Sequence, residues 1–140
     1  MTTSNVDTVK RFYEIFASGD TSKLPEVLHV DIEMEMMNGW PYGGYYSGIK
    51  SAMEDFFANV WALLKPFTLE TNEDLESGNV VIVLGTYPTP DKKTGEDVAP
   101  NFAHLWTVED GKITRLRQYA DTVQVSRALN HEVPDHKNNS

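Results

Sequence analysis

Apolar and polar positions along the chain change period several times. Over residues 4–18, Val9, Phe12, Tyr13 and Phe16 recur at helical spacing and form one stripe. Ser4 and Asp7 fit a capping box, and Gly19 stands where such a helix stops. A shorter helix is predicted over 22–29, with Leu24, Val27 and Leu28 on one side and Pro25 in its first turn. "HVDIEMEMM" then alternates: Ile32, Met34 and Met36 point one way, Glu33, Glu35 and Met37 the other, as in a strand. Ile49, Met53, Phe56, Phe57, Val60 and Leu64 predict a third helix over 48–64, ended by Pro66.

Beyond residue 66 the period is that of sheet. Strands are predicted near 67–76, 79–87, 99–108 and 112–121, with "ESGN" and "EDGK" as turns. Asp110-Gly111 suits a two-residue hairpin, and "PTPDKKTGEDVAP" reads as a longer hairpin end. A last short helix is predicted over 122–130. Helix, helix, strand, helix and four strands make an α+β pattern, with helices on one face of a mostly antiparallel, curved sheet.

One stretch breaks the periodicity. "NGWPYGGYYSG", residues 38–48, clusters Trp40, Tyr42, Tyr45 and Tyr46 among glycines and a proline. Either these rings cap the core or they rim a hole that a ligand fills, and aromatic groups with a polar tip suit a wet boundary.

Composition narrows the partners. The 140 residues suit one domain, 1–130, with 131–140 as a loose tail. A net charge of −9 argues against nucleic acid and against an anionic membrane surface. There is no cysteine, no apolar run of membrane-span length and no apolar segment in the first ten residues, so the cytoplasm is the expected compartment. A hydrophobic small molecule and a second copy of the chain are the expected partners.

"VKRFYEIFASGD", "VDIEMEMMNGWPYGGYYSGIKSAMEDFF" and "HLWTVEDGKITRLRQYADT" together resemble the SnoaL-like branch of the nuclear transport factor 2-like superfamily, over roughly residues 5–128. The resemblance implies a cone in which a curved sheet wraps three helices around a pocket. It does not choose a reaction, because the superfamily holds ketosteroid isomerases, limonene epoxide hydrolases, polyketide cyclases and dehydratases. The isomerases use a carboxylate base with a Tyr and a neutral Asp as oxyanion hole, and those positions match Met36, Phe12 and Ala103. The epoxide hydrolase positions match Met34, Met36, Thr86, Leu84 and Gln118. The cyclase Asp also matches Gln118, which can orient a carbonyl or a water but cannot carry a proton as a carboxylate does.

The resemblance implies that Met34, Met36, Leu84, Thr86, Ala103, Leu105, Leu116 and Gln118 face the pocket, with Trp40, Tyr42 and Tyr46 at its mouth. No cofactor is implied. Strand alternation then places His104, Trp106, Val81, Val83, Tyr87 and Tyr119 on the outer face, half apolar and suited to a homodimer. A β-bulge would reverse that parity for His104. The catalytic candidates are Gln118 to orient a substrate and His104 or Asp121 to carry a proton. Asp121 also reads as a helix cap, and Glu33 with Glu35 as solvated charge. His131 and His136 have no partner at metal-ligand spacing. Two functions fit: a cofactor-independent isomerase, cyclase or hydrolase acting on a hydrophobic carbonyl or cyclic metabolite, and a non-catalytic hydrophobic-ligand-binding or dimerisation protein of the same fold.

Overall fold

The computed structural model describes residues 4–64, 68–91 and 93–135. The first helix, α1 (Asn5–Ser18), starts where Ser4 Oγ accepts the amide of Asp7 and ends at Gly19, whose φ of 79° is left-handed. The second helical segment is only a 3-10 turn, Thr21–Glu26. Pro25 cannot donate to a longer helix, and Leu28 already belongs to the strand β1 (Leu28–Met36). The aromatic stretch is not wholly irregular either. Its second half forms a short strand, β2 (Gly44–Ser47), paired antiparallel with β1.

The third helix opens as a π-helix, Ser51–Phe57, and continues as α2 (Ala58–Leu63). Its buried residues Ala52, Phe56, Phe57 and Val60 face inward. Pro66 lies outside the described residues. The sheet half comprises β3 (Glu70–Ser77), β4 (Val80–Thr86), β5 (Thr89–Pro90), β6 (Asp97–Val98), β7 (Asn101–Glu109) and β8 (Lys112–Ala120), followed by α3 (Thr122–Ala128). The main sheet has the order β2-β1-β8-β7-β4-β3, with β1 and β8 parallel and every other pair antiparallel. The short β5–β6 hairpin stands apart. This is the expected α+β architecture. One sheet face packs on α1 and the π-helix through Phe12, Phe16, Phe57 and Trp106.

Two glycines permit close approach. A Cβ on Gly85 would lie 2.1 Å from the Glu70 carbonyl oxygen and 2.6 Å from the Phe102 ring. One on Gly43 would lie 2.2 Å from the Met37 carbonyl oxygen, so the aromatic turn can close only with glycine there. That turn is tied down by the segment read as a tail: the Tyr42 amide donates to the Pro134 carbonyl at 2.8 Å, and Gly43 bridges Asp135.

Register decides which side chains meet. Asp110 and Gly111 both have positive φ, as the hairpin requires. The β7–β8 ladder begins Glu109↔Lys112 and Val108↔Ile113, but continues Thr107↔Arg115. Thr114 is therefore an extra residue, and the bulge moves every later pair by one. His104 sits opposite Gln118, and Trp106 opposite Leu116. An unbulged hairpin would instead have set Ala103 opposite Gln118. The β4–β7 register carries the exchange onward, with Val83 opposite His104. The faces expected for β4 and β7 are thus reversed. Val81, Val83, Tyr87, Phe102, His104 and Trp106 are buried inside, and Leu84, Thr86, Ala103 and Leu105 are half-buried on the outer face.

Candidate functional site

A cavity of about 30 Å³ lies between α1, the π-helix and the inner sheet face. Its wall includes Phe12 and Phe16 from α1, Phe56 and Phe57 from the π-helix, and Met36, Trp40, Leu69 and Leu116. Tyr87, His104, Trp106 and Gln118 complete it. That volume holds one or two waters. Trp40 stacks on Tyr87 with centroids 4.4 Å apart, and Phe102 stacks on His104 at 4.0 Å.

Four polar side chains of this wall, Trp106, His104, Tyr87 and Gln118, join with Tyr13 beside it in one connected chain. Trp106 Nε1–H donates to Tyr13 Oη at 3.0 Å. Tyr13 Oη lies 2.6 Å from His104 Nδ1, and His104 Nε2 lies 2.5 Å from Tyr87 Oη. Gln118 Nε2 lies 2.7 Å from the same Tyr87 oxygen. Gln118 is 2% exposed, and its Oε1 is buried without a hydrogen-bond partner. The sequence puts these groups together by simple means. Tyr13 follows Phe12 on the apolar stripe of α1, His104 and Trp106 alternate on β7, and the Thr114 bulge brings Gln118 into line.

Burial fixes the charge state of the chain. His104, wholly desolvated, is pushed down from 6.5 to about 3 and is neutral at physiological pH. Burial raises the Tyr87 phenol far above its ordinary range, partly opposed by its bond with Gln118. Burial likewise raises the Tyr13 phenol, opposed by Trp106. The site is therefore an apolar cavity walled by neutral groups that can give and take hydrogen bonds.

Of the residues expected at the pocket, Met36, Trp40, Leu116 and Gln118 line the cavity. Met34 is fully buried in the core without lining it, and Tyr46 is buried with its hydroxyl donating to the Tyr42 carbonyl. Tyr42 is half-buried, with a left-handed φ of 59°. Leu84, Thr86, Ala103 and Leu105 fall on the other sheet face, for the register reason above. His104 is inside the wall rather than on the outer face. Asp121 is exposed at the start of α3, where its carboxylate accepts the Gln124 amide at 3.2 Å. It is a helix cap and lies outside the cavity lining. Glu35 pairs with Arg115 and Glu33 accepts from Tyr45 on the exposed side. Among the described residues, no group of three His, Asp or Glu side chains could hold a metal ion.

Sequence reasoning passed over Tyr13 as part of an apolar stripe and set Tyr87 and Trp106 on the wrong face. The available signal was their polar tips: a Tyr or Trp placed among core positions needs a partner for its O–H or N–H.

A curved, mostly antiparallel sheet packed against helices, with a small cavity between them, defines the class. Residues 9–116 match the model of the SnoaL-like domain, and the chain belongs to that family. An uncharacterized protein of Mycobacterium tuberculosis strain H37Rv is 28% identical over 119 residues, 84% of this chain and 90% of that protein. Among solved structures, a nuclear transport factor 2-like protein of Burkholderia thailandensis superposes with a TM-score of 0.82 at 24% identity, covering 91% of this chain and 98% of that one. TerC, crystallized with polyporic acid, superposes at 0.79 with 28% identity, covering 90% and 98%. IdmH, a candidate polyketide cyclase from Streptomyces antibioticus, superposes at 0.75 with 18% identity, covering 91% and 99%. No helix among the described residues is long and apolar enough to cross a membrane.

Proposed function

We propose that the chain binds a hydrophobic carbonyl or cyclic metabolite in this cavity and rearranges it by proton transfer, as a cofactor-independent isomerase or cyclase. The observation that carries this is the Gln118 amide: buried at the cavity wall, half satisfied, and joined through Tyr87 to a neutral imidazole. Gln118 orients the substrate, and Tyr87 with His104 passes the proton. TerC supports the substrate class, since it was crystallized with polyporic acid. A metabolite displaces the one or two waters the cavity admits and pushes the lining apart, Met36 yielding most readily. Native mass spectrometry after incubation with extract from the source organism tests the pocket. An added mass of roughly a few hundred daltons, the size of a drug-like ligand, supports the proposal, and a clean apo mass counts against it. Once the compound is known, Gln118→Ala should lower turnover by more than it weakens binding.

A second reading, a non-catalytic binding or dimerisation protein, has its own observation. The cavity lining contains no carboxylate, and its histidine is held neutral. Binding without conversion of any bound compound would favour it.

Under either reading the outer face is proposed as the homodimer surface. Leu84, Ala103 and Leu105 are half-buried there, and Leu75, paired with Ile82, is 49% exposed. A monomeric mass in solution would remove this assignment.

A further inference from the structure

The Trp106–Tyr13–His104–Tyr87–Gln118 chain has one end whose direction is fixed. Indole N–H only donates. Tyr13 Oη therefore accepts from Trp106 and has its own proton to give, and His104 Nδ1, 2.6 Å away, is its partner. A neutral imidazole that accepts at Nδ1 carries its proton on Nε2. That proton points at Tyr87 Oη, 2.5 Å away. Tyr87 then accepts from His104 and directs its own proton onward to Gln118. The Gln118 amide is reversible end for end: a half-turn about its last torsion exchanges Oε1 and Nε2. Turned so, Oε1 accepts from Tyr87, the buried unpartnered acceptor disappears, and the NH₂ group takes its place at the cavity wall.

We propose that Trp106 and Tyr13 are positioning residues that orient the whole chain toward Gln118, so that the site presents an amide N–H donor and selects ligands by a carbonyl oxygen rather than a hydroxyl. The opposite direction serves the network less well. If Tyr87 gave its proton to His104, Nδ1–H would donate to Tyr13, which would then hold two donors and have to place its own proton elsewhere. Aligned bonds also polarise one another, which strengthens the terminal donor toward a carbonyl that gains negative charge. The ligand part of this inference rests on the pocket reading above; the direction of the chain does not.

The test uses the full chain labelled with ¹⁵N-histidine at pH 7, where His104 is neutral. Long-range ¹H–¹⁵N correlation should show His104 protonated on Nε2 and bare on Nδ1. Protonation on Nδ1, or an even mixture, overturns the proposal. Trp106→Phe removes the fixed donor and should move the pattern toward a mixture; an unchanged pattern removes Trp106 from its role. The wild-type spectrum decides the direction even where that variant folds poorly. The ligand class is read with cyclohexanone against cyclohexanol, titrated by chemical shift on the uniformly ¹⁵N-labelled full chain. The ketone should bind about tenfold tighter, the cost of one mismatched buried hydrogen bond, and should shift the Gln118 side-chain amide. Equal or tighter binding of the alcohol overturns the acceptor assignment. Binding of neither, with the Nε2–H form intact, overturns the pocket reading and the carbonyl selection with it, while the chain direction stands.

Discussion

The two faces of β7 have the same spacing and opposite chemistry. Inward, Phe102, His104, Trp106 and Val108 are buried, and the polar atoms among them close into a neutral chain. Outward, Ala103, Leu105 and Thr107 are only half-buried, beside strands that carry their charges as exposed pairs such as Glu35–Arg115. A histidine lies inside while a leucine lies half outside. Residue type alone did not sort them. His104 is tolerated in the interior because each ring nitrogen has a phenol against it, and a buried polar group with its partners costs little. Exposed ion pairs of the outer kind contribute little to stability.

The sharpest way to break the comparison is to truncate one residue from each face. Trp106 is fully buried, touches Phe12 with centroids 4.6 Å apart and anchors Tyr13. Trp106→Ala should cost about 3–5 kcal/mol, from the lost burial of the ring and the cavity it leaves. Leu105→Ala, on the half-buried face, should cost the isolated chain about 1 kcal/mol. Urea denaturation of both variants reads the difference, and equal losses would erase the distinction between the faces.

Acid separates the faces next. In the fold His104 titrates near 3, against 6.5 for the free group. Above pH 6.5 neither folded nor unfolded chain binds a proton there, and the group adds no pH dependence. Below 6.5 the unfolded chain takes up a proton that the fold refuses, so stability falls as pH falls, down to about 3. The slope is about 1.4 kcal/mol per pH unit, or about 2 kcal/mol by pH 5. His104→Gln should remove that slope between pH 7 and 5; Asp20 and Asp91, whose carboxyls are held below the ordinary 3.8 by hydrogen bonds, lose their contribution only at lower pH, in both proteins alike. Parallel slopes in the two proteins would show that His104 is solvated or already charged.

Much of this fold was legible. The α1 stripe, the alternation of β1 and the Asp110-Gly111 turn are local signals, and each element stands within a few residues of its expected place. The helix expected over 22–29 is a shorter 3-10 turn, and β2 was missed, because Pro25 and a run of aromatics and glycines carry two readings at short range. The inner face of β7 was illegible for a different reason. Face assignment follows from register, and register here turns on one extra residue, Thr114, whose side chain gives no sign of the bulge. The family resemblance fixed Gln118 and Met36 as inward but passed over the partners that Gln118 meets. Gln118 meets Tyr87, from just beyond β4, and Tyr87 leads through His104 to Tyr13 of α1; the two tyrosines stand 17 and 91 residues from His104. No local pattern records such a meeting.

The smallest expected effect concerns the residue most tied to function. Gln118→Leu keeps nearly the same volume and removes the hydrogen bond to Tyr87, a loss of about 0.5–1.5 kcal/mol. It also removes a buried amide whose second atom has no partner, which returns about 1–3 kcal/mol of desolvation. The two changes offset, and denaturation should place the variant within about 1 kcal/mol of wild type. A structural glutamine would behave otherwise: a loss near that of Trp106→Ala would show that the amide is there to hold the sheet. Near-neutral stability combined with loss of the preference for cyclohexanone over cyclohexanol is the outcome expected of a group kept for its ligand. It would mark the inner face as the place where the fold gives up stability for recognition.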